Sequence, residues 1–273
     1  MANVAEVNLT LKIHSEKNPV DMEYALETLT GCSAVVSILT DGILSKDVQK
    51  IRSSGDDIRT QLMDGYTGSY VQNFKVRIDS AIKAKRLSDL GNDVFSELMS
   101  YFFYEAIYIE PPKLSKKASD YLLELQGVEE ELKDKIKNKL QAMHKISKMY
   151  TYPVSLKRTS STDDIVTINS ATANNVFTYA VDDTEIVITA MITRFNSFTG
   201  NGRLLTDDNN HTVAFGFRGP LSNVKPSFSR KISENLHNNN RVRSEDRVYL
   251  KLTVVSMTNM VGDVIKYLIT QVE

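Results

Sequence analysis

The chain has 273 residues, of which 41% are hydrophobic and 25% charged, a composition typical of a soluble globular protein. Its formal net charge of −1 excludes a general attraction to nucleic acid or anionic membranes, so any such binding depends on local patches. The single cysteine, Cys32, excludes an internal disulfide framework and is expected to fill core space. The amino-terminal residues carry no signal-peptide pattern, so we expect a cytoplasmic protein with no membrane partner.

The first 150 residues mix strand and helix patterns. Apolar and polar residues alternate over residues 4–14, which predicts a half-buried strand. Asp21 is a suitable N-cap for a helix that reaches residue 39 and stops at Asp41-Gly42. Further on, the patterns predict strands over 47–53, 58–63 and 69–79, a turn over 64–68, and an aromatic-rich helix over 88–107.

A long helical pattern over residues 115–150 separates two halves of different character. Its apolar residues recur at steps of three and four, which places them on one helical face: Leu122, Leu125, Val128, Leu132, Ile136, Leu140, Met143 and Ile146. Gly127 is a point at which the run can divide into a short helix and a long one. Acidic residues 129–131 precede a series of lysines, an order that suits a helix dipole starting near Val128.

Strand patterns dominate after residue 150. They are predicted near residues 165–170, 175–180, 185–194, 203–206, 212–217, 247–256 and 264–272, with one helix over 227–237. Short strands with a single helix predict a small barrel or bent sheet of the OB or SH3-like kind. We therefore predict an α+β protein with an α/β domain over 1–150, ending in a long helical connector, and a mostly β domain over 151–273.

Three stretches, residues 25–39, 65–78 and 198–205, together resemble an uncharacterised bacterial family. Members of that family carry an α/β front half, a hairpin with Gly, Ser and an aromatic residue, and a small β module behind. The resemblance implies an accessory protein of mobile elements or antiviral defence, and it implies no catalytic residues.

Motifs of common enzymes are missing from the sequence. It has no phosphate-binding G-x-x-x-x-G-K-[ST] loop, no dinucleotide fingerprint and no G-x-S-x-G elbow. Its four histidines lack metal-ligand spacing, so we expect no metal site and no cofactor. Paired aspartates offer one alternative, a magnesium-dependent nuclease or hydrolase, although aspartate is also favoured in turns for backbone reasons: Asp56-Asp57, Asp163-Asp164, Asp182-Asp183 and Asp207-Asp208.

Two groups of residues are candidates for binding nucleic acid or an acidic partner. The first is a set of cations around an asparagine-rich loop, whose arginines suit phosphate recognition: Arg230, Lys231, Arg241, Arg243 and Arg247. The second is Phe215 and Phe217, which alternate on a predicted strand and would either stack on bases or fill the core.

The aromatic-rich helix is expected to belong to the core or to a contact with a second subunit. Its aromatic side chains exceed what a small sheet must cover, which favours a homo-oligomer or partner contact through Phe95, Phe102 and Phe103. Taken together, these patterns favour a non-catalytic cytoplasmic binding or adaptor subunit of a bacterial complex. Its expected partner is another protein or a second copy, with nucleic acid as a further ligand.

Overall fold

The computed structural model describes residues 4–48, 57–66, 70–177, 179–207 and 211–273. Most of the strand predicted over 47–53 and part of the turn predicted over 64–68 lie outside these ranges. The chain forms two compact units. The first contains Met1–Ile107 and Pro111–Val176, and the second contains Tyr108–Glu110 and Phe177–Glu273.

The first unit combines a five-stranded sheet with seven helices in its described residues. In chain order the elements are β1 (Ala5–Ile13), α1 (Met22–Ser45), β2 (Ile58–Tyr66), β3 (Tyr70–Ile78), α2 (Ala81–Leu90), α3 (Asn92–Ala106), α4 (Lys116–Glu124), α5 (Glu129–Met143), α6 (Lys145–Tyr150), β4 (Val154–Arg158), β5 (Asp164–Ile168) and α7 (Ser170–Phe177). The strand order is β2-β3-β1-β4-β5, and every neighbouring pair is antiparallel. Such sheets commonly bury one face and leave the other polar.

The central strand β1 shows this division between faces. Val7, Leu9, Leu11 and Ile13 are buried at alternate positions, as the sequence pattern predicts. On the opposite face the Thr10 hydroxyl donates a hydrogen bond to Asn73 Oδ1 over 2.7 Å. The alternation of this strand therefore sets which face of the sheet the helices cover.

Helix α1 begins where the sequence predicts, because the Asp21 side chain accepts a hydrogen bond from the Tyr24 N–H. It does not stop at Asp41-Gly42 but continues to Ser45. Gly42 lies against the Leu132 side chain of α5, where an added Cβ would overlap it, so this glycine permits helix packing instead of ending the helix. By length and composition α1 could cross a membrane, but 67% of its apolar window is buried in the fold, as in a core helix.

The two long helical patterns are both divided. The run over 115–150 becomes α4, α5 and α6, with Ser115 accepting a capping hydrogen bond from the Ala118 N–H. The helix predicted over 88–107 is interrupted at Gly91, which has a φ of +85° and separates α2 from α3. Glycine adopts this left-handed conformation without the steric cost of a side chain.

Of the two roles predicted for the phenylalanines of the aromatic helix, core and contact with a second subunit, the structure shows the core role. Phe95, Phe102 and Phe103 of α3 are among the largest fully buried side chains, at 1%, 0% and 0% exposure within one copy of the chain. Their surface is consumed by packing inside the first unit. None of it is left to contact another molecule.

The division between units also differs from the predicted one at residue 150. Strand β4 pairs antiparallel with β1, and β5 pairs with β4, so both complete the first sheet. The strand predicted over 175–180 is replaced by the end of α7 and the short β6. Because the β1–β4 pairing joins residues about 145 positions apart, it leaves no local signal in the sequence.

In its described residues the second unit is a closed five-stranded barrel with one α-helix and two short 3₁₀ helices. Its elements are β6 (Tyr179–Val181), β7 (Ile186–Phe195), β8 (Gly202–Thr206), β9 (Val213–Phe217), α8 (Pro226–Asn238), β10 (Leu250–Asn259) and β11 (Val264–Val272). The barrel order is β7-β8-β9-β11-β10 and back to β7; only the β9–β11 pair is parallel. This order, with a helix between the third and fourth barrel strands, is that of an OB fold. The barrel predicted from the sequence is confirmed.

The barrel interior is a continuous apolar core. It is formed by Ala190, Ile192, Leu204, Phe215, Ile232, Leu252, Val254, Ile269 and Val272. Ile232 comes from α8, so the inner face of the helix is part of the barrel core and its outer face stays polar.

One buried histidine makes the first unit sensitive to acid. His144 is fully buried between α5 and α6, with Nδ1 2.7 Å from the Leu140 carbonyl oxygen and Nε2 3.0 Å from Thr172 Oγ1. Burial lowers the pKa of His144 from 6.5 to about 4, although the bond to Leu140 opposes this shift. Protonation of His144 is therefore less favourable in the folded protein than in the unfolded chain.

We expect the free energy of unfolding to fall as the pH drops from about 6.5 to about 4, by on the order of 3 kcal/mol from this group alone. Above pH 6.5 both states are neutral at this residue, and its contribution is constant. Urea unfolding at several pH values measures this loss of unfolding free energy. In the variant His144→Gln the loss between pH 6.5 and 4 should be smaller by the same amount, on the order of 3 kcal/mol. The exposed His237→Gln is the matched control; an unchanged pH profile for His144→Gln would contradict this origin.

Candidate nucleic-acid interface

The two ends of the barrel differ in charge. β7 runs antiparallel to both β8 and β10, so segments 196–201, 218–225 and 239–249 lie at one end. Segments 182–185 and 260–263, with Asp207, lie at the other end, where the described loops contain no lysine or arginine. That acidic end carries Asp182, Asp183, Glu185, Asp207 and Asp263.

The opposite end, here called the cationic end, is built from the loops around α8. Its acidic residues are Glu234, Glu245 and Asp246, fewer than its cations. The cations are Arg218, Lys225, Arg230, Lys231, Arg241, Arg243 and Arg247. This separation produces a local positive patch on a chain whose net charge is close to zero.

Residues 240–247, here called the arginine loop, are fixed at their base by two asparagines. The Asn239 side chain accepts a hydrogen bond from the Val248 N–H and donates one to the Val248 carbonyl, both over 2.8 Å. Asn235 also donates to the Val248 carbonyl, and its Oδ1 accepts from the Ile192 N–H of β7 over 2.8 Å. The loop, which contains one 3₁₀ turn over Ser244–Asp246, is thereby tied to the barrel wall.

The arginines of this loop are available for an anion. Arg241 and Arg243 are exposed and Arg247 is half-buried. In the part of the chain that the structure describes, none of the three forms an ion pair with a carboxylate. An anionic ligand would therefore not have to displace an existing partner.

Arg230 and Lys231 extend the patch along the exposed face of α8. Ile232 and Asn235 on the same helix are buried, which turns Arg230 and Lys231 outward. Lys231 Nζ donates a long hydrogen bond, 3.3 Å, to the Val272 carbonyl. The structure thus brings all five cations predicted from the sequence to one end of the barrel.

Of the two roles predicted for Phe215 and Phe217, base stacking and core packing, the structure shows core packing. Phe215 is 0% exposed and stacks on Phe195 inside the barrel, with ring centroids 6.1 Å apart. Phe217 also packs against the barrel core. The outer face of β9 carries the small residues Ala214 and Gly216, which alternate with the two phenylalanines along the strand.

The outer face of β8 and β9, which binds oligonucleotides in many OB folds, is closed in this protein. Arg203 of β8 is only 3% exposed and donates hydrogen bonds to Thr212 Oγ1 over 2.8 Å and to the Thr212 carbonyl over 2.9 Å. It also donates to the carbonyl of Ile109 over 3.3 Å, a residue of the segment Tyr108–Glu110 that belongs to this unit. Arg203 is therefore not available on this face for contact with a ligand.

Two aromatic residues at the cationic end were not among the residues predicted from the sequence. Phe198 is 70% exposed in loop 196–201, which is ordered by Asn196 Oδ1 accepting hydrogen bonds from the Phe198 and Thr199 N–H groups. Tyr249 is also exposed and lies two residues after the arginine loop. The position of Phe198 in the sequence could have identified it. It stands immediately before a glycine-rich turn, where an aromatic side chain is not part of a strand that packs on the core.

The described aspartates of the four predicted pairs are divided between the two units. Asp57 forms an ion pair with Lys83 in the first unit, at 2.7 Å. Asp163 and Asp164 lie elsewhere in that unit, whereas Asp182, Asp183 and Asp207 belong to the barrel. In residues 4–48, 57–66, 70–177, 179–207 and 211–273, no three His, Cys, Asp or Glu side chains are placed to hold a metal ion.

Fold and site together define an α+β protein with an OB-ordered barrel that carries a cationic and aromatic end. Comparisons with protein-family models, curated proteins and solved structures found no match to the chain.

Proposed function

We propose that this protein is a non-catalytic binding or adaptor subunit of a bacterial, cytoplasmic complex, and that its barrel binds single-stranded nucleic acid at the cationic end. The observation that carries this proposal is the arginine loop, which presents three arginines that pair with no carboxylate of the described residues, on a base fixed to β7. Arg230 and Lys231 add positive charge beside it.

The exposed aromatic residues favour a single-stranded ligand. Phe198 and Tyr249 lie at the same end of the barrel as the arginines, and unpaired bases can stack on such rings. Arginine can contribute to this binding in two ways, because its planar guanidinium pairs with phosphate and also stacks on bases. A duplex offers the charge but not the free base faces, so it should bind more weakly.

Fluorescence anisotropy of labelled single-stranded DNA and RNA, titrated with the full chain at increasing salt, tests the proposal. Binding should weaken with salt along a log–log line with a slope of about −3.5, because roughly 0.7 of a counterion is released per neutralised phosphate and five cations are available. Absence of salt-dependent binding at low ionic strength would contradict the proposal.

The same samples, incubated with Mg²⁺, distinguish binding from cleavage. We expect intact oligonucleotide, and no effect of the double change Asp207→Asn and Asp208→Asn on binding. If the wild type cleaves and this variant does not, a metal-dependent nuclease that uses turn aspartates is the correct interpretation.

A further inference from the structure

The acidic end of the barrel also carries exposed apolar side chains, here called the apolar patch. They come from β6, from the start of β7 and from the tip of the β10–β11 hairpin, and each is at least 42% exposed: Tyr179, Val181, Ile186, Val187, Met260 and Val261. All six belong to the second unit. Exposed apolar surface within a charged rim is typical of a surface that contacts another molecule.

Pairing with β10 brings the three parts of the apolar patch to one end of the barrel. β6 pairs with the last residues of β10, with Tyr179 opposite Asn259, so it borders the tip of the β10–β11 hairpin. The first residue of β7, Ile186, lies opposite Val254 of the same strand. The patch therefore follows β10 from its middle to the hairpin tip.

The hairpin tip is held in place by Asn259, which is only 7% exposed. Its Oδ1 accepts hydrogen bonds from the N–H groups of Val261 and Asp263, over 3.1 and 2.9 Å, and its backbone N–H donates to the Asp263 carbonyl over 2.9 Å. This ordered turn keeps Met260 and Val261 in the solvent, at 55% and 64% exposure, although turns favour polar residues and glycine.

The acids around the apolar patch keep their charge. Asp182, Asp183 and Glu185 are exposed in the turn between β6 and β7, and Asp263 is exposed in the hairpin. Among the described residues none of the four forms an ion pair. Asp182 accepts a hydrogen bond from the Thr184 N–H over 3.2 Å, a neutral donor. A partner for this end should therefore combine apolar side chains with positive charge.

The cationic end of the same barrel has both properties. Its arginine loop presents three arginines that pair with no carboxylate of the described residues. Phe198, Val248 and Tyr249 add apolar surface at that end, at 70%, 50% and 37% exposure. Because strand direction places the two ends on opposite sides of the barrel, a single barrel cannot bring them into contact.

We propose that the acidic end of one barrel docks on the cationic end of a second copy of this chain. Opposite charges orient the two ends, and the apolar patch packs against Phe198, Val248 and Tyr249 of the other copy. Two different surfaces meet in this contact, so every associated copy still has an unused end. The assembly therefore grows beyond a dimer.

This association goes beyond the proposed nucleic-acid binding and does not depend on it, although both use the arginine loop. It is therefore measured without nucleic acid, so that a failure to associate is distinct from a failure to bind nucleic acid. Because phosphates and the acidic end compete for the same arginines, single-stranded nucleic acid that binds there should dissociate the assembly.

Sedimentation equilibrium of the full chain at low ionic strength tests the contact. The weight-average mass should rise with protein concentration past twice the 30.7 kDa of one chain, and added salt should lower it again. A mass that stays at 30.7 kDa up to the solubility limit overturns the proposal. A mass that levels off at that of a dimer indicates a symmetric contact and also overturns it.

Charge reversal at either end should leave the chain monomeric. Asp183→Lys with Glu185→Lys reverses two exposed acids and keeps the hydrogen bond of Asp182, and Arg241→Glu with Arg243→Glu reverses two exposed arginines. The chain with all four changes, its folding checked by circular dichroism, has opposite charges in exchanged positions and should associate again. Unchanged association of both double variants, or a monomeric four-fold variant, overturns the proposal.

A matched control separates complementary ends from net charge. Lys85→Glu and Lys139→Glu, two exposed positions of the first unit, are added to the acidic-end double variant and return its net charge to that of the wild type. This variant should stay monomeric, and association equal to that of the wild type overturns the proposal. Met260→Ser with Val261→Ser should raise the protein concentration needed for association at every salt concentration, because apolar contact is lost without a change in charge.

Discussion

Replacing Arg241, Arg243 and Arg247 together with glutamate is expected to weaken single-stranded nucleic-acid binding by about 100-fold or more at low salt. Each change removes a guanidinium that has no carboxylate partner in the described chain and places a repulsive carboxylate next to the phosphates. The salt slope should become shallower by about two, because three fewer phosphates are neutralised and each releases roughly 0.7 of a counterion. Stability should stay within about 0.5 kcal/mol, since Arg241 and Arg243 are exposed.

A matched control separates the site from net charge. Lys85, Lys116 and Lys139 are exposed in the first unit, and replacing all three with glutamate changes the net charge of the chain by the same amount. That variant should retain most of the affinity. If both triple variants lose affinity equally, binding follows overall charge and the arginine loop is not the interface. Phe198→Ala tests stacking, and it should reduce affinity at every salt concentration without altering the slope.

Replacing Gly31 with alanine is expected to destabilise the first unit by about 3 kcal/mol or more. Gly31 lies in α1 where it crosses α5, and an added Cβ would lie 2.8 Å from the Lys139 carbonyl oxygen and closer still to the Met143 backbone nitrogen. Backbone atoms of a helix cannot move aside as a flexible side chain can, so α1 and α5 would have to separate. Urea unfolding followed by circular dichroism measures the loss.

Whether Gly31→Ala lowers or raises the free energy of unfolding distinguishes an effect of packing from an effect of helix propensity. Alanine favours a helix interior over glycine by about 1 kcal/mol, so Gly31→Ala would stabilise the protein if the site had room. Gly127→Ala is the control, because nothing lies within 4 Å of the Cβ it would add. We expect it to be neutral or slightly stabilising. A stable Gly31→Ala variant would show that the two helices do not approach as closely as the structure has them.

Local patterns in the sequence were sufficient to predict the elements in which buried residues recur at a regular spacing. The predicted strands over 4–14 and 264–272 correspond to β1 and β11, because alternation along a strand reports directly which side is covered. Asp21 was identified as a cap because its role depends on the next three residues only. The small barrel was also predictable, since short strands with a single helix have few ways to bury their apolar faces.

The tertiary structure decided which apolar residues are covered and where the units divide. Phe102 and Phe215 are aromatic residues on amphipathic elements, and no local pattern distinguishes a core face from a contact face. Barrel closure turned Phe215 inward, and the packing of α3 buried Phe102. Similarly, β4 joined the first sheet through pairing with β1, which depends on residues far apart in the chain.

The candidate site was also predictable from the sequence in part, and the rest depended on the tertiary structure. Its five cations were visible in the sequence because a run of arginines and lysines is a local property. Their gathering at one end of the barrel, opposite Asp182, Asp183 and Asp263, follows from strand direction and could not be read from the sequence. Phe198 became a candidate only when its loop was placed at that end. Composition and periodicity determine what each segment can bury, whereas long-range strand pairing and barrel closure determine which side chains meet and which remain exposed.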